Sequence, residues 1–216
     1  VSPYVYCANN PVINIDPDGR KIVLTGTQEQ RIAVLIELQK LTNDKLGVRR
    51  YDGAVIIMAH GTKNTDMELS TGTSLIYELV NHDRTVEIMQ GDAYHEHPVY
   101  RRDAFNGKGT DTEVYYSFDT DVTTIVQNRK TGKSVSEVIP RHIALGHELI
   151  HGHRSLNGVA KDPDLKMKYS YTDIDGYIYE ANEKIEELET TGLSGNYKFT
   201  ENDLREEEKL RKRIKY

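Results

Sequence analysis

His147, Glu148, Leu149, Ile150 and His151 set two imidazoles four residues apart, with a carboxylate beside the first. On a helix each residue advances about 100°, so both histidines share one face a turn apart and can reach one tetrahedral zinc ion. Glu148 then stands where it can take a proton from a water molecule whose pKa the metal lowers toward about 7, which is the hydrolytic chemistry of an HExxH helix. In a chain of this composition roughly 0.02 such patterns arise by chance, so the spacing is informative.

A catalytic zinc takes three protein ligands and leaves one position open. Cys7 is the only cysteine, which excludes an internal disulfide and a thiolate cluster, so the third ligand must be His, Asp or Glu. His153 follows His151 by two residues, lies on another helix face and is not expected to bind metal. Downstream, Glu180, Glu183, Glu186, Glu187 and Glu189 form an acidic stretch from which periodicity alone selects none.

The elements that must hold these groups alternate in type. Residues 21–26 read as a strand and 27–44 as a helix capped by Thr27, with apolar residues at helical spacing. Residues 53–59 read as a buried strand, 73–83 as a helix and 85–91 as a strand, while 95–109 carry little periodicity and read as loop. Residues 112–118 and 123–128 alternate in strand fashion around Asp119–Asp121, which predicts a hairpin. A helix is predicted over 137–156 with Pro140 in its first turn, a second over 177–192 ending at Gly192, and a last one after Thr200, with Asp203 completing a cap-like pair. The expected fold is α+β and zincin-like, with a mixed, twisted sheet packed on the HExxH helix.

The motifs also carry a family resemblance. His147–His151, Gly158 seven residues on, and Glu186-Glu187-Leu188-x-Thr190-x-Gly192 resemble the NleD-type effector zinc metallopeptidases and, more distantly, the clostridial neurotoxin light chains. The resemblance implies Glu187 as the third zinc ligand, with Glu186 supporting the site or serving as an alternative ligand. It also implies an oxyanion-stabilising Arg-x-x-Tyr pair, matched by Arg213 and Tyr216. Zincins present an edge strand to extended substrate, and residues 112–118, centred on Val114, Tyr115 and Tyr116, are the candidate.

The first twenty residues are dense in turn-forming types. Tyr4, Tyr6, Asn9, Asn10, Pro11, Asp16, Pro17 and Gly19 resemble the closing segment of the core of Rhs-type proteins. That likeness implies a boundary near residue 20, residues 1–20 being the end of a core and 21–216 a tip domain. It implies a parent Rhs shell, an immunity protein as a further partner, and secretion or delivery as part of a larger protein to act in a recipient cell's cytosol.

The chain has 216 residues, 37% of them hydrophobic and 29% charged, as expected of a folding domain, and a formal charge of -6. Outside residues 209–215 no long basic stretch occurs, which disfavours a nucleic-acid partner. No apolar run approaches the roughly 18 residues of a membrane span, and no signal peptide opens the chain. Cysteine scarcity fits a reducing compartment.

The reading is therefore a zinc-dependent endopeptidase with one Zn²⁺ per chain and a protein substrate. Two other classes compete. His95, Glu96, His97, Arg101, Arg102 and Asp103 could belong to a nuclease tip, but no second carboxylate set accompanies them. An interaction module with structural zinc would fill all four positions with Cys or His, and the motif does not.

Overall fold

The computed structural model describes residues 21–62, 67–128 and 130–216. The Rhs-like segment and the boundary expected near residue 20 lie outside the described residues.

A four-stranded mixed sheet runs in the order β1 (Ile22–Leu24), β4 (Val86–Gln90), β6 (Thr112–Tyr116) and β5 (His95–Pro98). The first three are parallel and β5 is antiparallel to β6. Alternate residues Ile22, Leu24, Val86, Ile88, Val114 and Tyr116 are buried and join one core with the helices. Around the sheet lie α1 (Gln28–Lys40), α2 (Ser70–Val80), α3 (Arg141–Asn157), α4 (Ile185–Thr191) and α5 (Glu201–Glu207), with two-stranded ribbons β2–β3 (Lys45–Val48, Val55–Ala59), β7–β8 (Thr123–Gln127, Ser134–Val138) and β9–β10 (Lys166–Thr172, Ile178–Lys184). The α+β expectation holds, and a mixed sheet lies against the HExxH helix.

The middle of the molecule belongs to α3. It packs on β5 and β6 from one side and on α1, α2, α4 and α5 from the others. Its residues Leu149–Leu156 are all buried, so the helix is enclosed on every face. Leu145, Leu149, Ile150 and Leu156 have no exposed surface, each contributing about 1.5–3 kcal/mol of burial. Its last turn closes on Gly158 at φ 70, and the backbone of residues 107–109 crosses so closely that a Cβ there would lie 2.6 Å from the Gly109 nitrogen. Only glycine satisfies both conditions.

Thr27 caps α1 in a full capping box with Gln30, and the Thr200 hydroxyl accepts from the Asp203 N–H at the start of α5. Elsewhere the structure departs from the pattern reading. The 112–118 and 123–128 segments do not pair with each other; β7 pairs with β8, whose residues alternate in burial. The helix predicted from 137 begins at Arg141. Proline disfavours helical backbone at the residue before it, so Ile139 stays out of the helix and Ser134–Val138 stays a strand, with Pro140 at the N-cap. The helix predicted over 177–192 is strand β10 followed by the short α4. Ile178, Ala181, Ile185 and Leu188 have helical spacing, but the Asp173–Gly176 turn folds β10 back onto β9. Residues 95–98, read as loop, form the outer strand β5.

Candidate metal centre

The central helix aims His147 and His151 at one point, and α4 brings Glu187 to it. His147 Nε2 lies 3.1 Å from His151 Nε2, His151 Nε2 lies 2.9 Å from Glu187 Oε2, and His147 Nε2 lies 3.5 Å from that same oxygen. A zinc ion with bonds of about 2.0–2.1 Å in tetrahedral directions separates its ligand atoms by about 3.3 Å, so a common point near 2 Å from all three exists. Two nitrogens and a carboxylate oxygen are also the donor set that zinc accepts, and the donors fit the ion.

Each imidazole meets a carboxylate through its other nitrogen. His151 Nδ1 is hydrogen-bonded to Glu186 Oε1 at 3.1 Å, and His147 Nδ1 stands 3.0 Å from Glu201 Oε2 as a charge contact outside hydrogen-bond geometry. A carboxylate on the far nitrogen fixes the tautomer and ring orientation of a ligating histidine. Glu186 is in turn held by Arg154, whose Nε is 2.9 Å away, and by the Lys161 N–H, which donates to Oε2 at 2.6 Å. Arg154 is 1% exposed and also meets Glu189 Oε2 at 2.7 Å, so one buried guanidinium on α3 pins two carboxylates of α4. Glu186 thus lies behind His151, while Glu187 faces the shared point.

The charges follow this geometry. Burial alone would lower the histidines, but Glu187 and Glu186 outweigh it and raise His151 well above its ordinary pKa; Glu187 and Glu201 raise His147. Burial would raise Glu187, yet the neighbouring His151 and His147 hold it far below the usual carboxylate range. Such a concentration of anionic charge around two imidazoles suits a divalent cation.

Glu148, on the same helix, lines a cleft of about 470 Å³ together with His151, Glu187 and Tyr216. The Tyr216 ring stacks on His147 at 5.8 Å between centroids, and its phenol feels the Glu187 carboxylate. Burial, then the Glu187 charge, push that phenol well above its ordinary pKa, so it keeps its proton and remains a donor. The chain end is tied down to place it. Gln127 N–H donates to the Lys212 carbonyl, Ile214 N–H to the Ile125 carbonyl and the Thr124 hydroxyl to the Lys215 carbonyl, so residues 212–215 run beside β7.

Arg213, expected beside the metal site, stands behind Glu201 and Tyr216. Its Nη1 donates to Glu201 Oε2 at 2.6 Å, its Nε to the Lys215 carbonyl at 2.8 Å, and its guanidinium carbon sits 4.7 Å above the Tyr216 ring. With its donors so engaged, Arg213 orients Glu201 and Tyr216 and does not line the cleft. Glu201 was not foreseen. It is fully buried, and its other oxygen accepts from Arg205 Nε at 2.8 Å, but only its place in the first turn of α5 was readable from sequence.

The substrate-strand expectation is also corrected. Residues 112–118 contribute β6, which is interior to the sheet, with Val114 and Tyr116 buried and Tyr115 stacked on His95 on the face away from α3. The edge beside the cleft is β5, so its outer side is what an extended chain could join. Glu96 on β5 points to α3 and bonds to the Thr112 hydroxyl, and burial raises its pKa. Of the proposed nuclease cluster, His95, Glu96, His97 and Arg101 line the same cleft as Glu148, with His95–His97 in β5, while Asp103 pairs with Lys108 at 2.6 Å. His153, as expected, points elsewhere, between Glu78 Oε2 at 2.9 Å and the Tyr197 hydroxyl at 2.7 Å.

A family model named Peptidase_M91 and described as an effector protein matches residues 59–216. No curated protein sequence matches the chain. Among solved structures, the apo, zinc-removed light chain of botulinum neurotoxin type C is similar at 15% identity over 55% of this chain and 39% of that one, with a TM-score of 0.42. The light chain protease of serotype C1 aligns at 15% identity over 74% and 43%, with a TM-score of 0.40. The Clostridium botulinum serotype F light chain aligns at 18% over 90% and 44%, with a TM-score of 0.36. The chain spans about two-fifths of the length of these light chains.

Proposed function

We propose that this chain, which belongs to the Peptidase_M91 family of effector proteins, is an endopeptidase that works with one zinc ion held by His147, His151 and Glu187. The observation that carries the reading is the convergence of those three donor atoms, all within 4.8 Å of one another, at the edge of a cleft.

When bound, zinc supplies Lewis-acid polarisation of a peptide carbonyl and acidifies water. The residues of the chain supply the rest. Glu148 accepts the proton of the attacking water and returns it to the leaving amine. Tyr216, protonated and turned toward Glu187, can swing its hydroxyl onto the oxygen on which negative charge develops. Glu186 and Glu201 hold the two imidazoles in one tautomer, and Arg213 steadies Glu201 beneath the Tyr216 ring. An extended substrate adds to the outer edge of β5, which leaves its scissile bond over α3.

The effector description of the family supports a protein substrate reached by delivery into another cell. An Rhs-type carrier, an immunity protein and action in the recipient cytosol belong to the same proposal and rest on the motif in the first twenty residues. Among the described residues no helix is long and apolar enough to cross a membrane.

The test is zinc content measured alongside proteolysis for wild type and Glu148→Gln. About one zinc per chain in both proteins, with turnover reduced about 10²–10⁴-fold in the variant, is expected. Equal turnover in the two would end the proposal. New N-termini in a proteome exposed to wild type and absent with the variant would name the substrate.

A further inference from the structure

We infer that the cleft selects a substrate segment bearing an acidic side chain, received by Arg101, Lys161 and Lys184 at the end of the cleft nearest the C-terminus of α3. The inference rests on the peptidase reading above.

The direction of the cleft is fixed by the helix beneath it. Glu148, His151 and Ser155 line it on successive turns, and Tyr216 covers the His147 end. Toward Ser155 the edge strand passes through Pro98, paired with Thr112, into the turn that carries Arg101. The chain leaving α3 closes the same end, because the Ala160 N–H donates to the Ala104 carbonyl before Lys161 follows. Lys184, the last residue of β10, reaches this end because the Ile185 N–H donates to the Leu165 carbonyl.

The acidic groups of the cleft are already committed. Glu148 and Glu187 belong to the reaction centre, Glu186 is held by His151, Arg154 and the Lys161 N–H, and Glu96 is bonded to Thr112. The basic groups are not committed to the same degree. Arg101 is 64% exposed and meets Asp164, itself 88% exposed, at only 3.5 Å. Lys161 is 40% exposed and lies 3.5 Å from Glu189, whose other oxygen Arg154 already holds. Lys184 is exposed. Solvent-exposed pairs of this length are weak and exchange partners readily. The lining of the cleft also includes the apolar Ala104, Phe105 and Pro163. A lining that joins apolar groups and cations accommodates a short aliphatic stem ending in a carboxylate, and it repels a lysine or arginine.

The test uses the zinc-loaded chain and peptides derived from one cleaved sequence, each position near the scissile bond being Glu, Gln or Lys in turn. At one position Glu should exceed Lys in kcat/KM by about 10–100-fold, the summed effect of three exposed cations. The double variant Arg101→Glu with Lys184→Glu should reverse that order. Binding of the Glu and Lys peptides to Glu148→Gln protein, followed by fluorescence anisotropy, should rank them in the same way. Cleavage with ratios within about threefold at every position, or an order unchanged in the double variant, would overturn the inference while leaving the peptidase intact. If zinc-loaded wild type cuts no member of a mixed-sequence library and matches Glu148→Gln, the peptidase reading itself falls and the selectivity with it.

Discussion

Replacing Glu201 by Gln removes one charge and almost no volume, so it isolates what the buried carboxylate does. Glu201 has no exposed surface; one oxygen serves His147 at 3.0 Å and Arg213 at 2.6 Å, and the other serves Arg205 at 2.8 Å. Burial would raise its pKa, but Arg213, His147 and Arg205 hold it far below the carboxylate range, so the charge is present at neutral pH. Breaking a buried pair from one side costs about 3–5 kcal/mol, and Gln keeps an acceptor, so the metal-free protein should lose about 3 kcal/mol in urea unfolding. Separately, a ligating histidine that loses its carboxylate partner loses about 10–100-fold in metal affinity. Competition with a chromophoric chelator measures that second effect directly. Arg205→Met is the matched control, because Arg205 binds the oxygen that does not face His147. It should destabilise the fold by a comparable amount while zinc affinity stays within about threefold. Unchanged zinc affinity in Glu201→Gln, or an equal loss in Arg205→Met, would refute the idea that Glu201 acts on the metal through His147.

Tyr216→Phe keeps the ring on His147 and removes only the hydroxyl; kcat should fall about 10²–10³-fold with KM nearly unchanged, whereas a rise in KM alone would make the residue a substrate contact. His153 gives a pH signature: burial first, then the charge of Lys198, depress its pKa to about 4 from 6.5 despite Glu78. A depressed histidine is neutral when folded and binds its proton first when unfolded, so its contribution is complete above pH 6.5 and is lost as pH falls toward 4. The loss amounts to about 3 kcal/mol, and the pH slope of urea stability should be shallower in His153→Gln; parallel slopes would exclude this histidine as the cause. Gly72→Ala would set a methyl 1.9 Å from the Leu41 carbonyl oxygen, so α2 must shift. A loss of about 1–3 kcal/mol with zinc affinity preserved is expected from unfolding and chelator titrations.

The centre of the candidate site was legible because it is local. Four-residue spacing on one helix already places His147, Glu148 and His151, and the neighbouring Leu149 and Ile150 mark that helix as enclosed. Placing Glu187 beside the histidines needed the Glu-Glu-Leu-x-Thr-x-Gly motif, since in an acidic stretch periodicity alone selects no carboxylate. What the pattern could not give was pairing between distant segments. The edge strand His95–Pro98 is too short and polar to alternate visibly, so Thr112–Tyr116, with its stronger signal, is read as the edge that its neighbour forms. The β9–β10 ribbon was hidden by apolar residues that satisfy both periods, although the Asp-Gly turn between its strands was a usable sign. Beyond its place in the first turn of α5, Glu201 left no trace, because its meaning comes from Arg213 and His147, which lie 12 and 54 positions away.

The bracing around the metal donors explains why the chain end matters to chemistry in the centre. Glu186 comes from α4 and Glu201 from α5, and each fixes one imidazole of α3 from behind. Arg213 joins that arrangement to the tail, since the same guanidinium binds Glu201 and underlies Tyr216. The tail is held independently by main-chain bonds to β7, so Tyr216 does not depend on its own side chain to stay over His147. Three short elements, each too small to be stable alone, therefore converge on a single helix. Binding of a cation there stabilises all of them at once by mass action, and metal removal should loosen α4, α5 and the tail together while the buried sheet face of α3 stays packed. Hydrogen exchange with and without chelator would read this directly: protection lost across 185–191, 201–207 and 212–216 but kept in β4 and β6 is the outcome this architecture requires.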